Sequence, residues 1–303
     1  MPSYARPGDN LSKILRALPF ACLLAGSVAL GWRPLVSTFT LALTSEAYTH
    51  ILLIVPLSCA LIYLERETLS VPRRPAVAAG TVLLALALLL GSFVRFESNS
   101  WPPDMKIALS MLALVTWWIG CIVFYLGTRT FRALLFPFCF LFWLVPIPAF
   151  ALDEMIRLLQ RQSALAARVL FMAAGVPVTQ DGVVLSVPGL DIEIARECSG
   201  IRSSVMLMVT TMVLAHLFLR SWWRKALLIL AAVPLAAIKN GLRIFTLVQI
   251  GTRVDPTIFD SDLHHRGGIL FFALSVAITL ALLWFLRRTE NLESCGPRTA
   301  SPR

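Results

Sequence analysis

Charge is scarce in this sequence: charged residues make up 15% of the 303 positions and hydrophobic ones 57%, whereas soluble domains carry roughly a quarter charged residues. Paired cysteines are missing too. Six are scattered singly with no Cys-x-x-Cys, and Cys22, Cys59, Cys121 and Cys139 lie inside apolar stretches. That pattern indicates neither a disulfide framework nor a zinc site. No small-residue cleavage pattern follows the first apolar run before Arg33-Pro34, so a retained helix is expected rather than a signal peptide. Internal inverted repeats, which mark many transporters, are not found. With a mean hydropathy of +0.77, these shortages exclude a disordered chain, a secreted disulfide scaffold and an ordinary cytosolic enzyme. An all-α polytopic membrane protein is expected.

Eight apolar stretches approach the roughly 20 residues a spanning helix needs: Ala17 to Trp32, Tyr48 to Leu64, Ala76 to Val94, Ile107 to Leu126, Ala133 to Leu152, Cys198 to Leu219, Ala226 to Ile250 and Gly268 to Leu286. The net charge of +10 would suggest nucleic acid in a soluble protein. Here the basic residues form short clusters between apolar runs, so no nucleic-acid partner is expected and orientation is their use. Alternate connections carry Arg6, Lys13, Arg16; Arg66, Arg73, Arg74; Arg129, Arg132; Arg220, Arg224, Lys225; and Arg287, Arg288, thirteen in all. The opposite connections carry five: Arg33, Arg95, Lys106, Arg253 and Arg266. Both termini are therefore expected in the cytoplasm, with residues 1–16 and 289–303 as cytoplasmic segments flanking a transmembrane domain at 17–288.

Between the fifth and sixth spans the pattern changes. Arg157, Arg161 and Arg168 share a helical face, which fits an amphipathic helix lying in the membrane interface; a ninth buried span would place three arginines in the bilayer. From Val176 to Ile194 apolar and polar residues alternate around Gln180-Asp181-Gly182, the pattern of a small β-hairpin on the outer face.

Charges within spans are functional candidates by default. The sixth span opens with Glu197-Cys198-Ser199-Gly200-Ile201-Arg202-Ser203-Ser204, the seventh holds Lys239-Asn240-Gly241-Leu242-Arg243, and Asp262-Leu263-His264-His265-Arg266-Gly267-Gly268 precedes the eighth. With both ends inside, Arg202 lies about 6 Å and Arg243 about 10 Å within the outer boundary, at about 1.5 Å per residue, and His264 is four residues before the eighth span. Three distant motifs thus reach one depth on one side. Their chemistry is complementary. A neighbouring cation lowers a thiol pKa, a histidine beside a cysteine serves as base and then acid, and an arginine fork steadies an oxyanion. The composite reads as a membrane cysteine peptidase or transpeptidase. On the residues alone other roles stay open: Cys198 as an apolar filler, Arg243 as a snorkelling anchor, His264-His265 as a solvated pair. His50 and His216 have no charged neighbour at helical spacing on the outer side and are read as structural.

At these three motifs the sequence resembles the exosortase and archaeosortase family, whose members carry a Glu-x-Cys-Ser-Gly-like run with a following Arg, an Asn-x-x-Arg run, and a His four residues before a helix-opening Gly. Here no residue stands between Glu197 and Cys198, a spacing that also occurs in the family. Weaker similarity extends to Tyr48-Thr49-His50, Val55-Pro56, Pro146-Ile147-Pro148 and Gln160. The resemblance implies a catalytic set of Cys198, Arg243 and His264, with Glu197, Ser199, Gly200, Arg202, Asn240 and His265 in support; the adjacent histidines leave the register open by one. It further implies a multi-pass protein of the bacterial inner membrane with its site on the extracytoplasmic side. The implied partners are the bilayer and membrane-anchored proteins ending in a Pro-Glu-Pro-like motif, a transmembrane helix and a basic cluster, with a link to exopolysaccharide or surface-assembly machinery. No metal or organic cofactor is implied. The alternative from another class is a transporter or flippase, with Lys239, Arg243 and Arg202 lining a path for an anionic lipid-linked saccharide.

Overall fold

The computed structural model describes residues 25–28, 31–66, 75–96, 101–196, 199–253 and 268–294. The chain divides into two compact units, Met1–Ala149 and Phe150–Arg303.

In the first unit, α1 (Trp32–Thr44) is followed by a 3-10 turn (Glu46–Tyr48), α2 (Ile51–Leu64), α3 (Val77–Phe96), α4 (Pro103–Ala133), α5 (Leu135–Phe140) and a second 3-10 turn (Leu141–Leu144). The stretch after Trp32, expected as a connection, is helical. Pro34 sits in its first turn, where a missing N–H leaves nothing unsatisfied. Residues 17–24 and 29–30 of the first expected span lie outside the described residues. Helices α3 and α4 are antiparallel and closely apposed: a Cβ at Gly80 would stand 2.6 Å from Phe124 Cα, and one at Gly120 would stand 3.2 Å from Leu84 N. Small residues permit this kind of membrane-helix packing. Helix α4 breaks at Gly127 (φ 81°, ψ 166°), just past the expected span end at Leu126.

The fifth expected span, Ala133 to Leu152, is not one continuous helix. It divides into α5, the 3-10 turn and a break at Val145 to Pro148. Pro146 and Pro148 each lack an N–H and push the preceding residue out of the helical region; Val145 has ψ 115°. The break is secured by Tyr48 Oη, which donates to Ile147 O at 2.7 Å, and by Asp104 Oδ2, which accepts from Ala149 N at 2.7 Å.

The second unit contains α6 (Ala149–Ala173), a three-stranded antiparallel sheet of β1 (Thr179–Asp181), β2 (Val184–Val187) and β3 (Leu190–Glu193) in that order, then α7 (Ile201–Phe218), α8 (Trp222–Arg253) and α9 (Gly268–Ser294). The sheet has one strand more than the expected hairpin. Asp181 pairs with Val184 across Gly182-Val183, and Val187 pairs with Leu190 across Pro188-Gly189. Gly182 (φ 60°) and Gly189 (φ 83°) supply the positive φ that two-residue connections require. Helices α7 and α9 run parallel with α8 antiparallel to both: Leu207, Ala232, Ala236 and Phe272 cluster toward one end, Ala215, Leu219, Leu228, Leu283 and Leu286 toward the other. At that second end Glu290 accepts from the backbone N–H of Arg220 and Ser221 and pairs with Arg224 at 3.6 Å. Arg224 is thus buried, not a solvated loop charge.

Among the described residues six helices are long and apolar enough to cross a membrane, and a seventh span is added if Leu135–Leu144 and Ala149–Ala173 are counted as one broken span. The protein is a multi-pass, all-α membrane protein with a small sheet.

Candidate active site

The site is built on α6. One face of this helix is buried through Leu152, Ile156, Gln160, Ser163, Ala164, Ala167 and Phe171, a spacing of three and four that defines a helical stripe. Ala164, Ala167 and Phe171 of this stripe cluster with Leu185 and Val187 of the sheet and Ile244 and Val248 of α8, and Phe171 lies edge-on to Phe245 at 5.0 Å. The sheet therefore packs on α6 and on the later part of α8. As the chain leaves β3 it is pinned repeatedly. Ile194 is buried in the same cluster and donates its N–H to Val183 O at 3.1 Å, Gln160 Nε2 donates to Ile194 O at 2.6 Å, and Arg196 pairs with Asp153 at 2.5 Å. These contacts hold the segment that leads directly into Glu197-Cys198.

The turn into α7 is fastened just as firmly. Ser199 is fully buried, and Gly200 has φ 69°, a left-handed conformation that side chains with a Cβ rarely adopt. Its carbonyl accepts from Ser203 Oγ at 3.0 Å, Ser204 Oγ at 2.8 Å and Ser204 N at 2.9 Å. Space also demands glycine, because a Cβ here would stand 2.9 Å from Asn240 Oδ1. Asn240 in turn donates from Nδ2 to Ser163 Oγ at 3.0 Å, and the neighbouring Lys239 donates from Nζ to Ser203 Oγ. Asn240 is 2% and Lys239 5% exposed. A Cβ on Gly241 would lie 2.5 Å from Ala166 Cβ and 2.8 Å from Ala167 N, so this glycine lets α8 seat against α6.

Gly200 of the first motif is thus in contact with Asn240 of the second, although 40 residues separate them. Arg202, exposed on the first turn of α7, and Arg243, half-buried one turn past Asn240, flank the contact in sequence. Gly268, which opens α9, lies at the same end of the three-helix set as Ile201, because α7 and α9 run parallel. Glu197, Cys198, His264 and His265 lie outside the described residues. His50 is buried with its ring edge-on to Trp143 at 5.8 Å, within the first unit. Sequence reasoning passed over Asp153, Ser163 and the role of Ser203. A signal existed for Gln160 and Ser163: they are polar positions within the apolar stripe of α6, off the arginine-bearing face.

Among the described residues no group of three or more His, Cys, Asp or Glu side chains is placed to hold a metal. No curated protein matches the chain, and no solved structure does. The model of one family, the transmembrane exosortases, matches residues 32–281. That match covers most of the chain, over the same helices that carry the paired motifs: the protein belongs to the transmembrane exosortase family and is, in general terms, a membrane protein of peptidase or transpeptidase type.

Proposed function

We propose that the protein is a cysteine-dependent transpeptidase of the bacterial inner membrane, which cleaves Pro-Glu-Pro-type carboxy-terminal sorting signals from membrane-tethered proteins and transfers the new carboxyl end to a surface acceptor. Cys198 is the nucleophile. His264 takes the thiol proton, and the thiolate sulfur attacks the scissile carbonyl carbon. The guanidinium of Arg243 steadies the oxyanion. Collapse breaks the C–N bond, the departing amine takes the proton from His264, and a thioester remains on Cys198. An acceptor nucleophile, deprotonated by His264, then attacks the thioester, and the released thiolate regains that proton. Glu197, Ser199, Gly200, Arg202, Asn240 and His265 shape the site. The site faces the extracytoplasmic side, with both termini in the cytoplasm.

The observation that supports this reading most is the contact of the Gly200 turn with Asn240. It joins the cysteine-bearing and arginine-bearing motifs at the end of the helices where α9, preceded by His264, begins. The test is processing of a co-expressed substrate with a carboxy-terminal sorting signal. Cys198→Ala should abolish processing at unchanged membrane abundance, while Ala or Ser at Cys22, Cys59, Cys121 and Cys139 leaves the chemistry intact. Wild-type processing by Cys198→Ala would remove the nucleophile assignment.

A further inference from the structure

Lys239 is a buried charge in the middle of a helix that the reaction just described leaves unused. It lies inside α8, with about five helical turns before it and about four after it, and is 5% exposed. A lysine that anchors a helix extends its stem and keeps its ammonium in water; this one turns inward and donates to Ser203 Oγ of α7. Burying an ammonium within a spanning helix is costly, so such groups carry a function with an identifiable partner. Here the partner is a hydroxyl with a second task, because Ser203 Oγ also donates to Gly200 O at 3.0 Å.

The donor inventory makes the connection directional. A serine hydroxyl has one proton and two acceptor lone pairs, and an ammonium only donates. With Lys239 occupying a lone pair, the Ser203 proton is free to point only elsewhere, and the carbonyl of Gly200 receives it. Asn240, next in the chain, meets the same turn directly at Gly200, with its side chain tied to Ser163. Consecutive residues of α8 therefore grip the turn, one through Ser203 and one by direct contact. Cys198 stands two residues before Gly200 in the chain.

We propose that Lys239 is a positioning residue of this site: acting through Ser203, it locks the Gly200 turn and with it the backbone that presents Cys198 to the substrate. The proposal rests on the reading of Cys198 as nucleophile, and its test separates the two. Full-length protein is reconstituted in vesicles with a membrane-anchored substrate ending in a Pro-Glu-Pro-type signal, and kcat and KM are measured for Lys239→Met, Ser203→Ala and the double variant. Misplacement of a reacting group by an ångström costs up to about 100-fold, so each single variant is expected to lower kcat by about 10- to 100-fold with KM unchanged. The double variant should be no slower than the slower single one, because both remove the same link. Ser203→Thr, which keeps the hydroxyl, should restore most of the rate. Losses that multiply in the double variant, or a Lys239→Met rate within about two-fold of wild type, would overturn the proposal. If Lys239→Met does not accumulate, the contrast between Ser203→Ala and Ser203→Thr decides: equal rates overturn it. Processing that persists in Cys198→Ala would sink the thiol reading instead, and the Lys239–Ser203 cycle would still report whether the two act as one.

Discussion

Arg243 illustrates how much one residue's chemistry must carry. It follows Asn240 by one turn on α8 and is half-buried, with ten further helical residues before the helix ends at Arg253, about 15 Å at 1.5 Å per residue. A planar guanidinium offers a fork of donors to a carbonyl oxygen that a compact ammonium cannot reproduce. Loss of an oxyanion donor typically costs roughly two to three orders of magnitude in rate, and Arg243→Lys is expected to show a loss of that size at matched membrane abundance. A rate within a few-fold of wild type would leave Arg243 as a packing or anchoring residue. In the same assay His264→Ala should fail and His265→Ala should retain part of the activity, because His264 has the four-residue spacing to Gly268. The reverse result would move the catalytic histidine by one position.

Helix α6 changes character between sequence and structure. The arginines at 157, 161 and 168 mark its polar side, and they make an interfacial helix a reasonable expectation. The buried stripe beside it is the one that organises the candidate site, because it supplies Gln160 to the strand exit and Ser163 to Asn240. At Gly241 α8 lies close against it. In Gly241→Ala the new methyl would meet Ala166 Cβ at 2.5 Å and backbone N of Ala167 at 2.8 Å, neither of which is the tip of a flexible side chain. Overpacking of this kind costs about 1–3 kcal/mol, so thermal unfolding in detergent should begin at a lower temperature and processing should fall with it. Gly91→Ala in α3 is the matching control, since its Cβ meets nothing within 4 Å and alanine favours helix over glycine by about 1 kcal/mol. A stable Gly241→Ala protein would mean that α6 and α8 can part without harm to the fold.

At the scale of the molecule, orientation rests on basic residues. Thirteen stand on alternate connections against five on the others, and setting aside the buried Arg224 leaves twelve, an excess of the same sense. Reporter fusions after Leu64 and after Val94 should therefore report opposite sides, and a tag within Val176 to Ile194 should be extracytoplasmic. The helix arrangement sharpens what is at stake: the sheet packs on the later part of α8, at the end where α7 and α9 begin. A cytoplasmic tag at the sheet would carry the whole site to the cytoplasm and remove surface proteins as substrates.

The sequence by itself determined the membrane class, the placement of most spans, the sheet-forming segment and the three motifs. Each of these follows from quantities that run along the chain: the length of an apolar run, the alternation of strand residues, the type of residue interrupting a span. The break in the fifth span was legible in Pro146 and Pro148 but yielded to the apolar run around them. The partners of buried polar groups were decided by the tertiary structure alone. Hydropathy records what a side chain loses on leaving water and carries nothing about which neighbour repays it. That Gly200 must be bare because Asn240 lies over it, that Gln160 and Ser163 face inward, and that Lys239 reaches Ser203 are consequences of how α6, α7 and α8 seat against one another, which no single stretch of sequence contains.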